Sequence, residues 1–397
     1  MPEDKKQNQW DQNGRQGRPE RAKIQDRHEE GPNSGRPDQP QTEHVPERTA
    51  AEYAPERTTA DHTPERAQKG HVILEIKNLK VNFLAGKRSI NAIREVTLSA
   101  AAGETLGIVG ESGCGKSLTA TSVMRLLPKE TARIESGEIL FEGKDLLKLS
   151  DKEMDKIRGN EISMIFQDPM TSLNPVYKIG RQLMELVLAH RKIRKDEAWE
   201  LCVQMLAKVG IPAPRERMEK YPHELSGGMR QRVMIAMALL GNPKVLIADE
   251  PTTALDVTIQ AQILDLILDI QEETKTAVIL ITHDMGVIAE TADNVAVMYA
   301  GEIVEYDSVE GIFNRAMHPY TLGLLRSIPR FDKDVDRLET IEGIVPSLGN
   351  MPEGCRFCTR CPYAVEKCRN MTPKLTAVGA GKLVRCHRVS FQAGFDF

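Results

Sequence analysis

The glycine-rich segment of this 397-residue chain reads Gly110-Glu111-Ser112-Gly113-Cys114-Gly115-Lys116-Ser117. It fits the pattern G-x-x-x-x-G-K-[ST] in full and lies between an apolar run, Thr105–Val109, and a helical pattern that begins at Lys116 and runs to Leu127. Glycines allow backbone N–H groups to close around phosphate oxygens, and the helix start adds partial positive charge. We therefore expect Lys116 to reach the β- and γ-phosphates of a nucleotide and the Ser117 hydroxyl to be placed for Mg²⁺. Cys114 takes a variable position of the pattern, where a small filler is expected rather than a redox residue.

A second segment delivers two carboxylates at the end of an apolar run. Four apolar residues, Val245–Ala248, precede Asp249 and Glu250, which is typical of a buried strand ending in acids. Ligands of open α/β sheets bind at the carboxyl ends of the strands. Asp249 is expected to hold Mg²⁺ through water, and Glu250 is the candidate to polarise an attacking water.

A third segment, Leu225-Ser226-Gly227-Gly228-Met229-Arg230-Gln231, lies between these two. Ser226 can cap a helix that runs to about Leu240, and Gly227 and Gly228 leave backbone N–H groups bare. That combination predicts a second anion site at a helix N-terminus. Two such sites in one chain make sense if two subunits face each other and each completes the site of the other.

The apolar runs indicate the fold class. Val245–Ala248 and Ala277–Ile281 are short, fully apolar and each reached through a helical pattern, which predicts an α/β fold with buried parallel strands and crossover helices. Further strands are expected at Val72–Ile76, Val96–Leu98 and Ile162–Phe166, and a helical stretch at Arg181–Val209.

Composition separates a tail, residues 1–70, from the rest. The tail holds no Leu, Phe or Cys but eight of the 22 prolines, and Pro-Glu-Arg recurs every nine residues at Pro46, Pro55 and Pro64. Such a segment cannot bury enough apolar surface to offset its ordering entropy, so we expect disorder, as a solvated tether or as a partner-binding tail.

Charge and hydropathy exclude other classes. The net charge of −4 argues against binding of nucleic acid through electrostatic attraction. Mean hydropathy is −0.37 and no apolar run approaches 18 residues, so no membrane span is expected. The first residues are charged and carry no apolar signal core, so we expect no secretion.

Taken together, these motifs resemble the ATP-binding subunit of an ABC transporter. The resemblance extends the phosphate loop to Leu118 and covers about 72–390. It implies that Gln167 is the Q-loop glutamine that senses Mg²⁺ and the membrane partner, and that His283 is the switch histidine that contacts the γ-phosphate. The remaining implied motifs are the D-loop, Ala254-Leu255-Asp256, and the aromatic that stacks on adenine, Phe83.

Several segments resemble the oligopeptide/dipeptide/nickel importer branch, to which the D-type ATPase subunits of dipeptide and oligopeptide permeases belong. They are residues 168–175, 234–238, 252–258 and 318–321. The resemblance implies a P-loop NTPase cassette, residues 71–320, with a RecA-like core, an antiparallel β subdomain and a helical subdomain at about 170–240. It adds a small Cys-bearing extension, residues 321–397.

The resemblance also implies a function and a set of partners. ATP would be sandwiched between the P-loop of one subunit and the signature segment of the other, and hydrolysis would power import of peptides or of a related cargo such as nickel. The implied partners are a second ATPase subunit, with a heterodimer favoured, two transmembrane permeases and an extracytoplasmic binding protein. The implied place is the cytoplasmic face of the bacterial cell membrane.

Five of the seven cysteines fall within 32 residues. In a reducing compartment this clustering favours a metal or cluster site over disulfides. Cys355, Cys361, Cys368 and Cys386 resemble the set that some peptide-importer ATPases use for a [4Fe–4S] cluster, with Cys358 as a possible substitute ligand. Zinc is the alternative, since four thiolates also make a structural zinc site, and free thiols remain a third possibility.

Two other functions are open to a chain with these motifs. A soluble ABC ATPase of DNA repair would carry a long coiled-coil insertion between P-loop and signature, and one of translation would usually carry two cassettes. This chain shows no sustained heptads there and one P-loop. An exporter ATPase is disfavoured by residues 167–175 and by the Cys-bearing extension.

Overall fold

The structure is a computed structural model. It describes residues 70–86, 88–168, 172–253, 256–328, 340–379, 381–390 and 394–395. The tail with its repeats, residues 169–171 of the segment after Gln167, and Ala254 and Leu255 of the D-loop lie outside these ranges.

The strands are numbered in chain order. They are Val72–Ala85 (β1), Arg88–Ala101 (β2), Thr105–Val109 (β3), Ala132–Phe141 (β4), Lys144–Asp145 (β5), Ile162–Ile165 (β6), Val245–Asp249 (β7), Ala277–Thr282 (β8), Asn294–Tyr299 (β9), Glu302–Ser308 (β10), Thr376–Ala377 (β11), Leu383–Val384 (β12), Val389–Ser390 (β13) and Gly394–Phe395 (β14).

The helices follow the same convention. They are Lys116–Val123 (α1), Asp151–Ile157 (α2), Ile179–His190 (α3), Lys195–Lys208 (α4), Pro214–Met218 (α5), Gly227–Leu239 (α6), Val257–Thr274 (α7), Met285–Thr291 (α8), Val309–Arg315 (α9), Pro319–Arg326 (α10) and Glu366–Asn370 (α11). Short 3₁₀ turns occur at Leu146–Lys148, Pro222–Glu224 and Leu348–Asn350. Among the described residues, none of these helices has both the length and the apolar character needed to cross a membrane.

The large sheet has the strand order β11-β12-β10-β9-β3-β8-β7-β6. Its central strands β9, β3, β8, β7 and β6 run parallel. Every residue of β3, β7 and β8 is buried, which explains why these runs show no alternation of polar and apolar residues. The predicted α/β fold with buried parallel strands is therefore confirmed.

A second sheet, β2-β1-β4-β5, is antiparallel. Its strands β1 and β2 extend well beyond the predicted runs Val72–Ile76 and Val96–Leu98, because backbone pairing continues where the apolar pattern stops. One apolar core joins this sheet to the large one. Helices α3 to α6 and one side of the large sheet share a second core.

Two helical predictions need correction. The stretch Arg181–Val209 is two helices, α3 and α4, because the chain turns extended at Arg191. The helix after the P-loop ends at Val123 rather than Leu127. Arg125 there has a left-handed backbone (φ 50°), and its guanidinium donates to the carbonyl oxygens of Leu146 and Leu149, so the chain leaves the helical path.

The C-terminal region does not stand apart from the cassette. Strand β12 pairs antiparallel with β10, so Leu383 and Val384 extend the large sheet. A third apolar core combines Val109 at the end of β3 with Tyr299, Tyr320 and Phe357. The residue before the P-loop and the Cys-bearing region therefore share one packed core.

Candidate active site

The predicted catalytic residues follow neighbouring parallel strands. The P-loop comes after β3, Gln167 after β6, Glu250 after β7 and His283 after β8. Because these strands are adjacent and parallel, their carboxyl ends meet at one edge of the sheet. Residues far apart in sequence thus converge on the phosphate loop.

The backbone geometry explains two P-loop glycines. A Cβ on Gly110 would lie 2.1 Å from the carbonyl oxygen of Met298, and Gly115 has a left-handed backbone (φ 106°). A larger residue at either position would displace the loop.

Lys116 is held above this loop. Its buried ammonium donates to the carbonyl oxygens of Gly110 (2.8 Å) and Glu111 (3.3 Å). Cys114 is buried behind the loop, and burial raises the pKa of its thiol to about 11, in keeping with the predicted filler role.

The magnesium ligands predicted from sequence lie side by side. The Ser117 hydroxyl donates to Asp249 Oδ1 at 3.1 Å. Burial raises the pKa of Asp249, and the hydrogen bond from Ser117 offsets part of that rise. A hydroxyl and a carboxylate at this distance are oxygen ligands suited to Mg²⁺, and a cation would compensate the buried charge. The residues therefore fit the ion.

Glu250 is restrained by its side-chain contacts and by its backbone. Its carboxylate accepts hydrogen bonds from the Gln167 amide and the Thr253 hydroxyl, both at 2.9 Å, and lies 3.5 Å from His283 Nδ1. Its backbone is left-handed (φ 47°), which is costly for a residue with a Cβ. The restraint fixes an acceptor oxygen beside the phosphate loop, where it can orient a water molecule.

A cavity of about 290 Å³ opens next to these groups, the lower end of the size range of ligand pockets. Its lining includes nine of the predicted site residues, eight for nucleotide or metal binding and the catalytic candidate Glu250: Phe83, Ser112, Gly113, Gly115, Lys116, Ser117, Leu118, Gln167 and Glu250. Four lining residues were not predicted, namely Ala92, Ala300, Gly301 and Leu348. Phe83 thus lies at the cavity where its adenine-stacking role would place it.

The signature segment lies apart from this cavity. Ser226 caps α6 as predicted, because its hydroxyl accepts from the backbone N–H of Met229 at 3.3 Å. Ser226 and Gly227 are exposed, and neither they nor Gly228 line the cavity. Asp256 is also exposed and caps α7 through the N–H of Ile259. Both helix starts are therefore presented on the surface.

Sequence reasoning missed Gln231. This residue of α6 is buried, and its amide donates to the carbonyl oxygen of Pro251, directly after Glu250. It connects the signature helix to the catalytic strand end. A glutamine on the buried face of a helix is a weak hint of such a contact, since buried polar groups are hydrogen-bonded.

The five clustered cysteines line one cavity of about 20 Å³. They are Cys355, Cys358, Cys361, Cys368 and Cys386, all with free thiols. Burial raises the pKa of Cys355 to about 12 and that of Cys361 to about 11. Within the described ranges, no group of three or more His, Cys, Asp or Glu side chains could hold a metal ion.

These features define a P-loop nucleoside triphosphatase of the ABC type. They are the phosphate loop, the Ser117–Asp249 pair, the restrained Glu250 and the separate signature helix. The ABC transporter family model matches residues 93–253, and the C-terminal region model of oligopeptide/dipeptide transporters matches residues 304–368. The chain belongs to the family of ABC transporter ATP-binding proteins. It is an ATP-hydrolysing subunit that uses Mg²⁺ and powers transport, as the sequence predicted.

Curated relatives match over most of their length. The probable peptide ABC transporter ATP-binding protein y4tR of Sinorhizobium fredii is 51% identical over 81% of this chain and 96% of its own. The oligopeptide transport ATP-binding protein OppD of Salmonella typhimurium is 50% identical over 81% and 95%, and the dipeptide transport ATP-binding protein DppD of Bacillus subtilis is 52% identical over 79% and 94%.

Solved structures support the fold. The ATP-binding cassette MJ0796, in a dimeric post-hydrolysis state bound to ADP and Pi, aligns with a TM-score of 0.54 at 27% identity, over 60% of this chain and 99% of its own. The cassette cbiO1 of the cbiONQ transporter complex of Clostridium perfringens aligns with a TM-score of 0.53 at 28% identity, over 62% and 92%.

Proposed function

We propose that this chain powers the import of peptides, or of a related cargo such as nickel, across the cytoplasmic membrane of a bacterium, bound to its inner face. The proposal draws on the relatives that are named as peptide, oligopeptide and dipeptide transport proteins and on the match of residues 304–368. An ATPase of DNA repair or translation finds no support among these relatives.

The mechanism rests on the separation of the P-loop from the signature helix. The P-loop lines the nucleotide cavity, whereas Ser226 and the two glycines after it lie on the surface outside it. The signature helix can therefore act on a nucleotide held by a second subunit. Val257, at the start of α7 beside Asp256, is 83% exposed, as expected of a surface that a facing subunit covers.

When ATP is held between the P-loop of one subunit and the signature helix of the other, each site residue has a defined role. Lys116 and the loop amides bind the phosphates, Ser117 and Asp249 hold Mg²⁺, and Glu250 orients the attacking water. Gln167 and His283 contact the same carboxylate, so each can couple the state of the nucleotide to the position of Glu250. Phe83 stacks on the base.

We propose as partners a second, different ATPase subunit, two transmembrane permeases and an extracytoplasmic binding protein. The segment around the Q-loop glutamine exposes apolar side chains, Phe166 at 39% and Val176 at 70%. An exposed apolar side chain next to Gln167 can transmit the state of the nucleotide to a membrane subunit.

Affinity purification of the tagged full chain from detergent-solubilised membranes tests these partners. We expect to recover two polytopic proteins and a second ATPase, and we expect Val176→Glu to lose the polytopic proteins because a buried charge opposes docking. Met371→Glu, which changes another exposed apolar residue, is the matched control and should retain them. Recovery of ribosomes or DNA would refute the transport proposal, and two copies of this chain with no second ATPase would refute the heterodimer.

We further propose that the C-terminal region, 321–397, holds a [4Fe–4S] cluster on Cys355, Cys361, Cys368 and Cys386, with Cys358 as substitute. Support comes from the convergence of all five thiols on one small cavity. A four-iron cluster takes one thiolate per iron, which this group of cysteines can supply, and zinc stays the alternative because four thiolates also make a structural zinc site. Bound iron would also compensate for the burial that raises the pKa of Cys355 and Cys361.

Metal analysis of anaerobically purified protein tests the cluster. We expect about four irons per chain and a broad absorbance near 400 nm, and replacing Cys368 together with the substitute Cys358 by Ser should lose both because only three ligands remain. Cys202→Ser is the control, since Cys202 is buried in the helical core away from the five. A colourless protein, with or without bound zinc, would contradict the assignment.

A further inference from the structure

Arg360 of the C-terminal region contacts the P-loop. Arg360 lies between Cys358 and Cys361, and its side chain is 4% exposed. Its guanidinium donates two hydrogen bonds to the carboxylate of Glu111, from Nη1 at 2.6 Å and from Nη2 at 3.0 Å. This forked arrangement is among the stronger ion-pair geometries in proteins.

The peptide at Glu111 is held from three directions. Its N–H donates to the Tyr320 hydroxyl at 2.9 Å, its carbonyl accepts from Lys116, and its side chain is bound by Arg360. Tyr320 belongs to α10 and Arg360 to the Cys-bearing loop. Two elements that lie more than 200 residues after the P-loop therefore fix its second residue.

Arg360 is itself fixed. Its Nε donates to the carbonyl oxygen of Glu342 at 2.9 Å, and its Nη2 donates to that of Ile341 at 3.1 Å. Four residues earlier, Arg356 donates to the carbonyl oxygen of Ala300, which lines the nucleotide cavity. The same loop thus braces both the phosphate loop and a wall of the cavity.

Electrostatics gives this bracing a consequence for ATP. Glu111 places a negative charge in the loop that receives a triphosphate carrying several negative charges. Without Arg360, the Glu111 carboxylate would repel ATP and could accept hydrogen bonds from the N–H groups of the loop. The fork from Arg360 neutralises the carboxylate and holds it away from those N–H groups.

We propose that Arg360 is a positioning residue for ATP binding, acting from the C-terminal region on the P-loop through Glu111. It does not touch the nucleotide or the reacting atoms. Its removal weakens ATP binding while leaving Glu250 and its partners in place.

Nucleotide binding by the full chain tests the proposal. Arg360→Ala should raise the Kd of a fluorescent ATP analogue and the KM for MgATP by about five- to tenfold, with a much smaller change in kcat. The loss should shrink as salt is raised, because screening weakens the repulsion from Glu111. Arg360→Lys keeps the positive charge but loses the paired hydrogen bonds to Glu111. Its Kd should lie between those of the unsubstituted chain and Arg360→Ala.

The decisive comparison uses a second site. Introduced into a Glu111→Gln background, Arg360→Ala should change the Kd by less than twofold, because the charge it neutralised is gone. Arg369→Ala, which removes an exposed arginine beside Cys368, should leave the Kd unchanged within twofold. An equal loss of affinity in both backgrounds, or a fall in kcat with unchanged KM and Kd, would overturn the proposal. Should Arg360→Ala not fold, Arg360→Lys in the two backgrounds makes the same comparison.

Discussion

Glu250→Gln is expected to lower ATP turnover by about 10²- to 10⁴-fold, the range that a catalytic base contributes. The substitution keeps the size of the side chain and an oxygen acceptor for Gln167 and Thr253, so the site should stay assembled. What is lost is the negative charge that polarises the water. ATP should therefore bind and hold the two subunits closed without being consumed.

Phosphate release by the chain co-purified with its partners, together with a count of retained nucleotide, checks this result. Glu272→Gln makes the same chemical change at an exposed position of α7 and should turn over normally. Unchanged turnover in Glu250→Gln would remove this residue from its assigned role. Loss of turnover without retained ATP would show that the carboxylate serves binding instead.

Lys116→Ala should weaken ATP binding by at least about 100-fold, the cost of removing two charge-assisted hydrogen bonds to phosphate. The side chain is only 4% exposed, and its ammonium already rests on two carbonyl oxygens of the loop. Because the Lys116 side chain is already ordered, it loses little conformational entropy when ATP binds. Nearly the full free energy of its contact with the phosphates therefore contributes to binding.

Titration with a fluorescent ATP analogue measures this effect, and thermal melting without nucleotide controls for folding. Lys129→Ala removes an exposed lysine and should leave the Kd unaltered. A Kd within threefold of the unsubstituted chain for Lys116→Ala would rule out the predicted contact with the β- and γ-phosphates.

Local sequence predicted the phosphate site because its chemistry needs residues that are adjacent in the chain. The P-loop, the Asp249-Glu250 pair and the capping role of Ser226 all depend on spacings within eight residues, and the structure places each at the predicted helix or strand end. The parallel strands were equally predictable, because burial on both faces makes a run apolar throughout.

Other features depend on contacts that local spacing does not encode. The hydrogen bond from Gln231 to Pro251, the cavity wall at Leu348 and the fork from Arg360 to Glu111 each join distant segments. The left-handed backbone of Glu250 is likewise set by its surroundings, since nothing about a glutamate after an apolar run requires it. The antiparallel pairing of β12 with β10 escapes prediction because a two-residue strand has no periodicity to detect.

The pairing of β12 with β10 and the brace from Arg360 also set an order of events during synthesis. The ribosome completes the P-loop first, and about 240 residues must follow before Arg360 is added, on the order of tens of seconds at ordinary elongation rates. During that interval the loop has its glycines and its lysine but lacks its external support. With Arg360 acting as proposed, chains truncated before this residue bind ATP about five- to tenfold more weakly than finished ones.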